Sequence, residues 1–306
     1  MRFDDIDFLI IGATKSATTW LQRSLQADPM VSMPDPELHY FSREFARGDD
    51  WYLAQFPANA GALVVGEKSN SYLERPEAAD RIARKVPNAK LVVQLRNPVE
   101  RAYSDYCMLY RRGDVGSDIE RYLDPARSQD TRLVSAGLYY RQLHVYFDRF
   151  PAERILVTFY ETVTTCPERQ LARVRTFLGL AGGGAGHLLR SRLKDKSAPM
   201  LSPAMRRLLR PLKPVVAPLR ETTPFRRVHA ALAKEIRYPP FPDSLRQRLT
   251  DHYEPDVEML GRLLGHDLSH WLRGSGVEMS RLGREGQTET SGTAIAQNRK
   301  PSQGFN

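Results

Sequence analysis

A chain of 306 residues with 41% hydrophobic and 26% charged residues has the balance of an ordinary folded protein, and its longest apolar runs are too short for a membrane-spanning helix. Two cysteines, Cys107 and Cys166, exclude a disulfide framework and lack metal-ligand spacing, and MRFDDIDFLII, with acidic residues ahead of a very short apolar run, does not look like a signal peptide; a reducing cytoplasm is expected. The net charge, 45 − 36 = +9, favours anionic partners without choosing among nucleic acid, membrane, nucleotide and acidic polysaccharide.

In chain order, near-continuous apolar runs at 8–11, 62–65, 90–95 and 154–160 predict buried parallel strands. Helical patterns lie between and after them at 18–26, 77–86, 98–111, 138–150 and 167–178. The alternation predicts an α/β fold, a P-loop-like three-layer domain with a central, mainly parallel sheet flanked by helices. At 181 the texture changes to AGGGAG, followed by a proline-punctuated basic stretch. Eleven Lys/Arg face two acidic residues between 190 and 227, which reads either as an anion-binding lid or as a solvated helical face. Two further helices are expected at 243–252 and 255–265. The expectation is one domain over 1–273, with 181–240 as a basic insertion or lid and 274–306 as a disordered polar tail.

Four stretches hold residues suited to chemistry. The first strand enters GATKSATTW, with one glycine, Lys15, and the hydroxyls of Ser16, Thr18 and Thr19 before a helix near Trp20. Backbone N–H groups at a helix N-terminus, hydroxyls and one ammonium make a competent anion site. A Walker A loop would carry glycine directly before its lysine, where Thr14 stands, and a dinucleotide loop needs three spaced glycines. An ordinary turn with Ser/Thr capping fits the stretch as well. In LVVQLRNPVERAYSDY, Arg96 leaves the carboxyl end of a strand, where open α/β sheets bind ligands. Asn97, Pro98 and Glu100 form an expected N-cap, N1 proline and capping-box partner. Ser104 lies away from the apolar face of the following helix, so its hydroxyl is expected outside the core and available, with Arg96, to a second phosphate. In DPELHYFS, Glu37 and His39 can point to one side of an extended chain, where a carboxylate can serve as general base. Lys68 in GEKSNSYL is expected just past the second strand, as an anion partner or a loop cap.

Together and in this order, these motifs resemble the sulfotransferases that use 3′-phosphoadenosine 5′-phosphosulfate (PAPS). The likeness is to the branch containing heparan sulfate N- and O-sulfotransferases and their bacterial relatives. It runs over 8–271 and also takes in LYYRQLHVYFDRFPAERILVTFYE and LGHDLSHWL. The resemblance implies that Lys15, Ser16, Ala17, Thr18 and Thr19, with Trp20 opening the helix, hold the 5′-phosphosulfate. It further implies that Arg96 and Ser104 hold the 3′-phosphate, that Glu37 is the general base with His39 beside it, and that Lys68 is an active-site lysine. RSRLKDKSAP is the candidate lid, with Arg192, Lys194 and Lys196 as 3′-phosphate contacts. The family loop usually has glycine where Ala17 stands, so a positive φ there would strain this chain.

The implied reaction is direct in-line sulfuryl transfer to a hydroxyl or amine, with 3′,5′-ADP as product and no metal required. A carbohydrate or glycolipid acceptor is expected, with contact to an anionic membrane open and nucleic acid not expected. Two other readings stay open at this point. One is a P-loop-type kinase, which the missing Gly–Lys–Ser/Thr and the absence of an acidic Mg²⁺ motif at the third strand count against. The other is a basic nucleic-acid or membrane binder.

Overall fold

The computed structural model describes residues 1–57, 61–128, 131–180, 205–206 and 236–273. The basic stretch between 207 and 235, Arg192, Lys194, Lys196 and the tail after 273 lie outside the described residues.

Among the described residues, five strands form one parallel sheet in the order β2-β3-β1-β4-β5: β1 (Phe8–Gly12), β2 (Val31–Ser32), β3 (Val64–Lys68), β4 (Lys90–Leu95) and β5 (Ile155–Phe159). The helices in chain order are α1 (Thr18–Gln26), α2 (Asp49–Leu53), α3 (Pro76–Lys85), α4 (Pro98–Arg112), α5 (Glu120–Leu123), α6 (Thr131–Ser135), α7 (Tyr139–Phe147), α8 (Tyr160–Thr165), α9 (Pro167–Leu178) and α10 (Asp243–Leu264). Alternate strand residues go to opposite faces. Leu9, Ile11, Leu91, Val93, Ile155 and Val157 pack with α3, α4, α7 and α10, while Phe8, Ile10, Val92 and Leu156 pack with α1 and α9. The strands read as continuous apolar runs because both faces are covered, giving three layers.

α1, β4 and α9 begin and end where the periodicity places them. The second strand expected from sequence starts two residues later and runs on to Lys68, which is therefore its last residue and not a loop residue. Gly66 explains part of this. A Cβ there would meet the Phe8 ring and the Phe8 carbonyl at 2.5 Å, so only glycine lets β3 approach β1 at this register. The two-residue edge strand β2 was not expected; its pattern is too short to carry a period.

The two helices expected after 243 are one, α10, continuous through Pro255. Its buried stripe of Leu245, Leu249, Tyr253, Val257 and Leu260 keeps helical spacing across the proline, and packing against α7 and α4 outweighs the lost hydrogen bond. α7 is shorter than its pattern and ends at Phe147. Among the described residues no helix is long and apolar enough to cross a membrane.

Candidate active site

The carboxyl ends of β3, β1 and β4 are adjacent, and the chain crosses from one side of β1 to the other between β3 and β4. This is the switch point where open α/β sheets bind ligands. It brings together Lys15 to Thr19, Lys68 and Arg96 from three separate parts of the sequence.

The loop after β1 turns through two left-handed residues, Lys15 (φ 71°) and Ala17 (φ 62°). Ala17 is the N-cap of α1 and offers no side-chain cap, so the N–H groups of the first turn are left to other acceptors. Ala17 thus occupies the strained conformation that the glycine of the family pattern would relieve. Ser16 Oγ is buried and has no hydrogen-bond partner among the described residues. An orphaned hydroxyl in a loop at a helix N-terminus fits a bound anion. Trp20, expected with the nucleotide, is buried between α1 and the sheet.

Side chains the motif reading did not single out hold this loop in place. Gln94, buried in β4, donates to the Ser16 carbonyl and accepts from Gln170 Nε2 at 3.4 Å. Thr14 Oγ1 donates to Glu74 Oε1 at 2.7 Å, and Arg96 Nη1 donates to the Lys15 carbonyl at 3.2 Å. Arg96 also lies 4.4 Å above the Tyr160 ring.

Glu37 meets the loop through a closed ring of polar contacts. Lys68 Nζ lies 2.6 Å from Glu37 Oε1 and donates at 3.4 Å to Thr19 Oγ1. The Asn70 N–H donates to Glu37 Oε2 at 3.1 Å, and Thr18 Oγ1 donates to Asn70 Oδ1 at 2.6 Å. Asn70 is the member that sequence reasoning missed, although it sits inside GEKSNSYL. Burial pushes the Glu37 carboxyl up, but the Lys68 charge and hydrogen bond and the Asn70 N–H outweigh it and hold the group below its ordinary range. His39 Nε2 is 3.7 Å from Glu37 Oε2. Burial and the Arg43 charge hold His39 below its ordinary pKa, against the opposing pull of Glu37.

Behind this pair, Glu67 is fully buried. Its carboxylate accepts from Tyr72 Oη at 2.5 Å, Tyr52 Oη at 3.1 Å and Ser69 Oγ at 2.8 Å, and Ser69 Oγ accepts the His39 N–H at 2.8 Å. Burial raises the Glu67 carboxyl to about 7 despite those hydrogen bonds.

α4 departs from expectation in two places. Asn97 caps it, accepting from the Val99 and Glu100 N–H groups with Pro98 at N1, as its sequence predicts. Glu100 is not the capping-box partner: Arg246 of α10 draws it away, and Glu161 accepts the Asn97 N–H at 3.0 Å instead. Ser104 is buried, not set apart from the core. The polar side of α4 is covered by α6, where Arg132 meets Asp105 at 3.1 Å and Arg101 donates to the Leu133 carbonyl. A helical wheel drawn on one element cannot register a second covering layer. Among the described residues no cluster of His, Cys, Asp and Glu is arranged to hold a metal ion.

Residues 50–182 match the model of the Sulfotransferase family. The chain is 34% identical over 178 residues to heparan sulfate glucosamine 3-O-sulfotransferase 3B1 of Mus musculus, covering 56% of this chain and 45% of that one. It is 30% identical over 195 residues to the bifunctional heparan sulfate N-deacetylase/N-sulfotransferase 1 of Caenorhabditis briggsae, covering 57% and 22%. The chain thus spans less than half the length of these curated relatives. A solved sulfotransferase from Alicyclobacillus acidocaldarius has the same fold, with a TM-score of 0.66 and 24% identity over 88% of this chain and 99% of that one. In its family match and in these relatives, the chain is similar to sulfotransferases over roughly half of its length.

Proposed function

We propose that the chain transfers the sulfuryl group of PAPS to a hydroxyl or amine of a carbohydrate or glycolipid acceptor. The observation that carries this reading is the ring joining Glu37 to the phosphate-type loop through Lys68, Asn70, Thr18 and Thr19. A carboxylate joined in this way to a loop suited to an anion supports direct transfer. Sulfuryl transfer of this kind depends on positioning and on stabilising charge at the leaving oxygen.

Within this reading Lys15 and the first-turn N–H groups of α1 balance the charge that grows on the 5′-phosphate. Arg96, with Ser104, is assigned to the 3′-phosphate, and Arg192, Lys194 and Lys196 remain the proposed lid contacts. Glu37 takes the acceptor proton, and Lys68 keeps it ionised beforehand. The scheme asks for no metal. Heparan sulfate enzymes among the relatives support a carbohydrate acceptor, and the net charge of +9 suits an anionic one. Cys107 and Cys166, neither in a disulfide, suit a cytoplasmic setting.

Incubating the full chain with radiolabelled PAPS, EDTA and a panel of acceptor saccharides tests the reading. Label transfer and binding of 3′,5′-ADP are expected. Strict dependence on Mg²⁺, or tight ATP binding without 3′,5′-ADP binding, would overturn it in favour of a kinase.

A further inference from the structure

His39 is held by both its backbone and its ring. Its N–H donates to Ser69 Oγ at 2.8 Å, and its carbonyl accepts from the Arg43 N–H at 2.9 Å and the Glu44 N–H at 3.1 Å. Its ring Nδ1 lies 2.8 Å from Ser71 Oγ. The residue itself is left-handed, with φ 52°. The backbone ties hold the residue in a conformation costly for a non-glycine residue, and the Ser71 contact orients its ring.

Counting protons decides which ring nitrogen carries hydrogen. Ser42 Oγ is 3.1 Å from the His39 carbonyl oxygen and 2.6 Å from Ser71 Oγ. A hydroxyl has one hydrogen to give and a carbonyl has none. The carbonyl contact therefore uses the Ser42 hydrogen, and the Ser42–Ser71 contact must use the Ser71 hydrogen. Nothing remains for the third contact except a hydrogen on Nδ1. The reverse tautomer would leave the Ser42 oxygen facing the carbonyl with no proton between them. The 3.7 Å from Nε2 to Glu37 Oε2 is also too long for a hydrogen bond, as two acceptors side by side require.

We propose that Ser71, working through Ser42, is a positioning residue that fixes His39 as the Nδ1–H tautomer and leaves Nε2 as a proton acceptor beside Glu37. The charged groups around the ring are Glu37, Arg43, Glu44 and Lys68. Resting on the transfer reading above, this gives the acceptor proton two adjacent bases. Glu37 is weakened by its pairing with Lys68, and neutral His39 can take the proton or receive it from Glu37. The acceptor O–H or N–H bond breaks and its electron pair forms the bond to sulfur, while the bond from sulfur to the 5′-phosphate oxygen breaks and leaves its pair on 3′,5′-ADP; the proton ends on Nε2.

Two-bond nitrogen–proton correlation spectra of the full chain with ¹⁵N-labelled histidine test this, because Nε2 couples to both ring C–H protons and Nδ1 to one. The His39→Gln spectrum identifies the His39 signals. In the wild type the protonated nitrogen is expected to be Nδ1. Ser71→Ala should shift the ring toward the Nε2–H form, where Glu37 is the nearest acceptor, and Ser71→Thr should retain the wild-type pattern. An Nε2–H ring in the wild type, or a Ser71→Ala spectrum identical to it, would overturn the inference. The same preparations are assayed with PAPS. Failure of transfer counts against the sulfotransferase reading alone, because the tautomer is read without turnover. An Nε2–H ring in a chain that transfers sulfate counts against Ser71 alone.

Discussion

The Lys68 ammonium sits 2.6 Å from the Glu37 carboxylate, and the two partners differ sharply in burial: the lysine side chain is 1% exposed and the glutamate 25%. The pair is therefore asymmetric. Removing Glu37 strands a buried cation, whereas removing Lys68 leaves an anion that water can reach. Glu37→Ala is expected to destabilise the fold by roughly 3 kcal/mol and Lys68→Met by about 1 kcal/mol. Urea denaturation of both variants checks this, and equal losses would contradict the asymmetry.

The same pair sets the chemistry. Glu37→Gln keeps the shape of the side chain and removes its basicity, so turnover should fall by about 10²–10⁴-fold. Affinity for 3′,5′-ADP should stay near that of the wild type. Initial rates with labelled PAPS and calorimetric titration of 3′,5′-ADP give the two numbers. Near-normal turnover would remove Glu37 from the role of base.

Arg96 links the loop to the end of β4 through the Lys15 carbonyl. Arg96→Ala should weaken 3′,5′-ADP far more than 5′-AMP, since only the former carries the charge assigned to it. Parallel titrations of the two nucleotides decide the matter. Equal losses would mean that Arg96 only braces the loop.

Ala17→Gly relieves a left-handed alanine, a conformation costing about 1–2 kcal/mol. Part of that gain is offset by the greater freedom of glycine in the unfolded chain, about 0.4–1 kcal/mol. The variant should be more stable by up to about 1.5 kcal/mol, seen as a raised urea midpoint at unchanged slope.

Glu67 gives stability a pH dependence of its own. A carboxyl held at about 7 in the fold, against an ordinary 4.5, binds its proton more tightly folded than unfolded. Its contribution is complete below pH 4.5 and declines as pH rises to 7, by roughly 3 kcal/mol. Glu37 runs the other way, its pairing being lost as pH falls through its lowered value. His39, kept neutral in the fold, favours higher pH below 6.5. The difference between wild type and Glu67→Gln isolates the Glu67 part. Chemical denaturation at pH 5, 6, 7 and 8 should show the two converge at low pH and separate as pH rises.

Much of this could be read from the residues. Continuous apolar strands, helix periods and the N-cap at Asn97 are local properties, and the chain obeys them. The loop, Arg96, Glu37 and Lys68 were identifiable because each stands beside a motif or a strand end. What escaped depended on partners far along the chain. Glu100 answers to Arg246, Ser104 is buried although its own helix sets it away from the apolar face, and α10 passes through Pro255 because α7 and α4 hold its apolar stripe. Asn70, Gln94 and Ser71 escaped for a related reason. Each is an unremarked polar residue whose meaning lies only in the contact it makes.

The ring around Glu37 also bears on how such a protein could diversify. The loop after β1 and Arg96 grow directly from sheet strands, whereas residues 34–44 belong to no strand and are clipped by side chains to the end of β3 and the turn after it, Glu37 to Lys68 and Asn70 and His39 to Ser69 and Ser71, and to α3 through Arg81, which donates to the Phe41 and Ser42 carbonyls. A segment attached in this way can be exchanged without rewriting the sheet, provided those few clips are kept. Such an exchange also has to keep the rings of Tyr40 and Phe41, which are fully buried in the main core.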